Sequence, residues 1–172
     1  MDKLSQVLRL TVCLLLCGFG HELVAGEHEN LLFKLQRSRD ADEIVYTLNI
    51  NNEGSIDQDN PIDVNWVRLS TDGKKEPITW IQNELSFGLN YITVDHYKAS
   101  FQFACCDQMT FFLKKDSDSY TVYTKVDDRV LEFQRVFLQY NGGTQWLPNV
   151  EYAELFLIDP ETKKQETKKI YP

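Results

Sequence analysis

The chain has 172 residues, with 26 acidic and 18 basic side chains, a formal net charge of −8 and 42% hydrophobic residues. That balance opposes nucleic acid or an anionic membrane surface as a partner, because either would repel the protein at long range. No apolar run reaches the roughly 20 residues that a bilayer span needs, so the mature chain is read as not membrane-spanning.

In chain order, the first element reads as an export signal. Met1, Asp2 and Lys3, with Arg9, lead into the apolar run Leu10 to Phe19 and then the small-residue exit Val24-Ala25-Gly26. Cleavage after Gly26 leaves residues 27–172 as a single β-rich domain, exported to a periplasm or the cell exterior. Such a length supports one core that buries about two thirds of the unfolded surface. Lipid anchoring at Cys17 is discounted, because Leu14, Leu15 and Leu16 stand where a small residue is expected. Cys13 and Cys17 leave with the signal, and the adjacent pair Cys105-Cys106 remains. Neighbours on a strand point to opposite faces, so a bridge between them would distort the pleat. One buried and one partly exposed thiol are expected, with a vicinal or intermolecular disulfide as the oxidised alternatives.

Alternating runs rich in β-branched and aromatic residues then recur at short intervals, each bounded by Gly, Asn, Asp or Pro. They predict strands at 31–36, 43–50, 62–69, 91–96, 98–104, 109–114, 120–126, 130–140, 150–157 and 165–170. Connectors such as Asn51-Asn52-Glu53-Gly54, Thr71-Asp72-Gly73 and Asn141-Gly142-Gly143 carry turn chemistry, so consecutive strands pair antiparallel. One segment breaks the period of two. Pro77 suits a first helical position, Ile78, Ile81 and Leu85 recur at helical spacing, and Gly88 stands where a left-handed cap would fall. A short helix over 78–87 is expected, packed on the sheet or plugging a barrel end. The fold class is therefore all-β, mostly antiparallel: a single calycin-like β barrel or a two-sheet sandwich with one short helix. The barrel is preferred because sequential strands with short loops close readily and remove their edges. The charged tail 161–169 reads as a solvated edge strand protected by lysines.

Familiar catalytic and metal patterns do not emerge. His28 and His96, the histidines of the mature chain, lie beside no nucleophile motif, and with the adjacent cysteines they lack zinc spacing. In Asp57-Gln58-Asp59-Asn60, the following Pro61 and Ile62 occupy positions where a calcium loop wants a ligand and a glycine. Gly142-Gly143 lacks the lysine and hydroxyl of a phosphate loop. No metal and no cofactor is implied. Trp66, Trp80 and Trp146 permit an apolar or carbohydrate site, although core packing explains most aromatics.

Several motifs taken together carry a resemblance. Gln36-Arg37-Ser38, Ile44-Val45-Tyr46, Asn60-Pro61 with Trp66, Phe87-Gly88-Leu89, and Gly142-Gly143-Thr144 through Trp146, Pro148, Asn149, Val150 and Tyr152 follow in order along the mature chain. This series resembles the domain-of-unknown-function family forty-eight thirty-three, exported β-rich domains known mainly from bacteria. The chain departs from that pattern at Asp40 and Asp42, where the family favours Asn, and in its cysteine pair. The resemblance implies one exported domain and supplies no activity, cofactor or site residue.

The functional expectation is a non-catalytic binding or interaction domain for a small molecule, apolar or carbohydrate, or for a protein. Its candidate residues are Arg37, Trp66, Trp146, Asn149 and Tyr152, in polar loops beside aromatic side chains. One alternative is a carboxylate-dependent hydrolase using Asp40 and Asp42, with Arg37 keeping the acids ionised. Another is a structural component of an envelope assembly.

Overall fold

A computed structural model describes residues 30–117, 119–143 and 148–172. The expected export signal and Trp146 lie outside the described residues. In chain order the elements are β1 (Leu31–Arg37), β2 (Glu43–Leu48), β3 (Ile62–Val67), β4 (Lys75–Pro77), α1 (Trp80–Gln82) with a wide π-helical turn (Asn83–Phe87), β5 (Leu89–Asp95) and β6 (Lys98–Phe103). Then follow β7 (Cys106–Asp116), β8 (Ser119–Val126), β9 (Arg129–Gly143), β10 (Pro148–Ile158) and β11 (Gln165–Ile170). The strands fall where hydrophobic alternation predicts them. β4, three residues ending on Pro77, is an addition to that list.

β9 organises the sheet. One of its edges carries β10 from Glu132 to Gly143, and β10 in turn carries β11. The other edge serves two partners in succession: β8 lies antiparallel against Arg129 to Glu132, and β1 lies parallel against Arg135 to Leu138. Two wings therefore leave the same edge of β9, one running β1-β2-β3-β4 and the other β8-β7-β6-β5. All their internal ladders are antiparallel.

The wings curl toward each other because each has one apolar face. Phe33, Tyr46 and Trp66 from the first wing are buried with Phe101, Phe111 and Phe133 from the second wing and β9. Phe33 stacks on Tyr46 at 4.2 Å between ring centroids and meets Phe133 at 5.0 Å, and Phe111 meets Phe133 at 4.9 Å. Away from the helical segment the wings are tied by Ile56 N–H donating to His96 O at 2.8 Å.

The result is a curled, open half-barrel. β4 and β5 end the two wings, and no ladder joins them among the described residues, where the sequence reading preferred closure. Pro77 has no N–H to extend a ladder, and the chain bridges the opening with residues 78–88, which contain α1.

The bridge corrects three sequence expectations. Pro77 belongs to β4 rather than to the helix, whose N-cap is Thr79. Thr79 and Gln82 form a reciprocal capping box: Gln82 N donates to Thr79 Oγ1 at 3.3 Å and Thr79 N to Gln82 Oε1 at 3.0 Å. Gly88 is not left-handed, with φ −68°; glycine is needed because a Cβ there would stand 2.0 Å from Asn83 O. Finally, Ile81 and Leu85 do not pack on the sheet. Both are exposed, and the residues turned inward are Ile78, Gln82 and Phe87.

Candidate functional site

Most of the polar chemistry at one end of the half-barrel gathers around Trp66. Strand alternation places it on the inner face of β3, opposite Ile44 of β2, and it is 2% exposed. Two guanidinium groups lie over its ring. Arg37, ending β1, sits 4.4 Å from the ring centroid, and Arg68, just past β3, sits 4.6 Å away. Such contacts contribute about 0.5–2 kcal/mol each, more as they are desolvated. The indole N–H donates to Gln82 Oε1 at 3.1 Å, and the ring meets Phe87 edge-on at 5.6 Å. Trp66 thus joins the first wing to the helical bridge.

Each arginine is held by a carboxylate. Arg37 Nη2 lies 2.6 Å from Asp40 Oδ2, while its Nε is buried without a hydrogen-bond partner. Arg68 reaches Asp42 at 3.2 Å and Glu76 at 3.4 Å. Asp42, 7% exposed, also accepts from the Ser70 hydroxyl at 2.6 Å and the Ser70 N–H at 2.9 Å. The Ser70 hydroxyl foremost, then its N–H and Arg68, hold this carboxyl below the ordinary carboxylate range against the opposing effect of burial.

The same end includes the β9–β10 hairpin. Ser38 Oγ accepts from Tyr140 N at 3.0 Å, and Arg39 donates to Gly142 O and, at 3.2 Å, to Gly143 O. Gly142 and Gly143 have φ of 76° and 81°, which explains the glycine pair. Arg39 lies 4.9 Å over the Tyr140 ring. Burial raises the Tyr140 phenol, and Arg37 and Arg39 oppose that shift.

Of the residues singled out from sequence, Arg37 and Trp66 meet directly. Asn149 joins them at one remove, its amide donating to Asn141 O at 3.1 Å in the hairpin that Arg39 grips. Tyr152 stands apart, half-buried beneath Lys169 Nζ at 3.9 Å and 6.0 Å from Tyr171. Trp146 lies outside the described residues. Asp40 and Asp42 attach to different arginines. His96, exposed, has Nδ1 3.4 Å from Gln58 Nε2. In the acidic string, Asp57 Oδ1 accepts from Asp59 N and Asn60 N and so closes its own turn.

Sequence reasoning missed Arg68, Ser70 and Tyr140, which lie far from Arg37 along the chain and announce themselves by no motif. It also missed the outward face of the bridge. Trp80 is 75% exposed, Leu85 69% and Ile81 46%. The signal was available in Thr79-x-x-Gln82, which makes Trp80 and Ile81 the first helical residues and aims Gln82 inward. On the opposite face of the first wing, an open groove of about 320 Å³ runs past Lys34, Glu43, Val45 and Lys75. No helix among the described residues is long and apolar enough to cross a membrane.

Fold and site together define a small, mostly antiparallel β domain whose open side is bridged by a helical segment anchored on an arginine-flanked tryptophan. The chain belongs to the family described as Domain of unknown function (DUF4833), whose model matches residues 33–169, the family its motifs resemble. No curated protein and no solved structure matches it.

Proposed function

We propose that this is an exported, non-catalytic interaction domain that docks a protein partner on the helical bridge. The observation that carries the reading is the exposure of Trp80, Ile81 and Leu85 on one short segment whose inward side is fixed. The capping box, the Trp66–Gln82 bond and the 2.8 Å bond from Tyr46 Oη to Phe87 O hold that segment before any partner arrives. Rigid apolar anchors lose little freedom on binding, and a tryptophan among apolar neighbours is the commonest kind of interface hot spot. Contiguous apolar side chains at a surface are otherwise a liability for solubility. In this reading Arg37, Trp66 and Arg68 support the bridge from beneath, and the partner, rather than a β4–β5 ladder, covers the open side of the half-barrel. The partner offers an apolar pocket. Export rests on the sequence of residues 1–26, and N-terminal sequencing of the mature product tests it: a start at or near Glu27 is expected.

The binding test is native mass spectrometry of the domain purified from its own compartment, followed by titration of the partner found. Trp80→Ala with Leu85→Ala weakens that binding by roughly thirtyfold or more, the scale of a lost hot spot of about 2 kcal/mol. Unchanged affinity in a folded double variant would overturn the reading.

A further inference from the structure

Cys105 and Cys106 stand outside everything described so far. They fall between the strands 98–104 and 109–114 expected from sequence, at the close of one hairpin. Phe103 and Cys106 are the last paired residues of the β6–β7 hairpin, so Ala104 and Cys105 form its turn. Only Cys106 is on a strand. The pleat therefore does not force the two thiols to opposite faces, which was the objection to joining them. Both thiols are free, with Cys105 exposed and Cys106 half-buried against the core.

We propose that this turn is a reversible oxidation site, at which a small-molecule disulfide converts Cys105 and Cys106 to a vicinal disulfide. The exposed thiolate of Cys105 attacks the disulfide RS–SR, forming Cys105–S–SR and releasing one thiolate. The Cys106 thiolate, one residue away, then attacks the Cys105 sulfur and releases the second. The protein loses two electrons and two thiol protons; RS–SR gains both and leaves as two thiols. Burial foremost, and then the neighbouring Cys106, raise the Cys105 thiol above its ordinary value, so the attacking thiolate is the minor form at neutral pH and the reaction speeds up as pH rises. Adjacent Cα atoms are about 3.8 Å apart, shorter than the roughly 4.4–6.8 Å of an unstrained bridge. The bond is therefore strained and readily reduced again.

The location gives oxidation a consequence. Ala104 N–H donates to Gly88 O at 2.9 Å, and Phe87, the preceding residue, accepts from Tyr46. The cysteine turn thus holds the C-terminal end of the helical bridge, and ring closure within the turn disturbs that hold. The oxidation site itself does not depend on the docking reading.

The test incubates the reduced protein with oxidised glutathione, quenches with acid, alkylates, and maps the tryptic peptide of residues 99–114, which carries both thiols. Because that peptide is the same in mature and uncleaved chains, the result is independent of export. The expected product is a monomer whose peptide is two hydrogens lighter, takes no alkyl group and is restored by dithiothreitol. Cys106→Ser stops at a glutathione adduct on Cys105, whereas Cys105→Ser forms its adduct at least tenfold more slowly. Full alkylation of both thiols after oxidation, a disulfide-linked dimer, or a persistent double glutathione adduct in the wild-type chain would each overturn the proposal.

Discussion

Asp42 shows how much of this site is held by single residues. Its carboxylate satisfies both Ser70 donors and pairs with Arg68, so Asp42→Ala removes three hydrogen bonds at once and leaves the exposed Ser70 and half-buried Arg68 to water and Glu76. A loss of about 0.5–1.5 kcal/mol is expected in denaturant unfolding, the net worth of hydrogen bonds whose donors water can reach. The pH dependence has a definite sign. Because the folded carboxyl titrates lower than the unfolded one, its contribution is complete above the unfolded value of about 3.9 and fades as pH falls through the lower folded value. Wild type therefore loses stability below about pH 4 more steeply than Asp42→Asn, and equal slopes there would contradict the account. Gly88 is a second such residue. Gly88→Ala drives a Cβ into Asn83 O and should cost roughly 1–3 kcal/mol as an overpacked position, measurable as a shift in unfolding midpoint at unchanged slope. At this scale the sequence was half legible. Arg37 and Trp66 could be marked from local motifs, yet their meeting depends on β2 lying between β1 and β3, which no local pattern encodes.

Elements were the most legible scale, because alternation is a local property that each strand carries in its own residues. Ten strands follow from it, while β4 escaped because three residues ending in proline give no alternation to read. The helical segment was located correctly, but its inward face was right only at Ile78, which packs against the core. Ile81 and Leu85 continue the spacing of a buried face yet stay exposed, and the bridge is anchored through Gln82, Phe87 and the capping box. Hydrophobic spacing finds a helix; it does not say whether the apolar side meets the chain's own core or another molecule. Trp80→Ala accordingly changes folding stability by no more than about 0.5 kcal/mol, as for a surface residue outside the packed core. That near-neutrality in an unfolding measurement is what allows Trp80 and Leu85 to be tested as binding residues without confusion with folding.

At the scale of the molecule, the two wings share one edge of β9, and this was not legible at all. Local pairing rules give hairpins, but the parallel insertion of β1 beside Arg135 to Leu138 is a long-range choice made by the matching of apolar faces. The edges of the resulting sheet are unequally protected. β11 carries Lys168 and Lys169, β4 ends in Pro77, and β5 has a register break around Ile92, all devices that discourage pairing with other chains. Hydrogen exchange should follow the topology. Amides of β9 from Arg135 to Leu138, flanked by β1 and β10, are expected to exchange near the global unfolding limit, and those of β4 and β11 much earlier. Comparable protection in β4 and β9 would argue against the described sheet.

The parallel ladder between β1 and β9 also bears on the order of synthesis. The first strand to be made waits for the ninth before its second edge is filled, and Phe33 and Tyr46 wait with it for Phe133. A chain interrupted before Arg135 already holds the aromatic side chains from Phe33 to Phe133 but lacks the stretch of β9 that lies against β1 and joins the first wing to the second. The domain therefore cannot complete its sheet prematurely: the first wing stays unattached while most of the chain is being made, and it is fixed to the second only once the residues from Arg135 onward arrive.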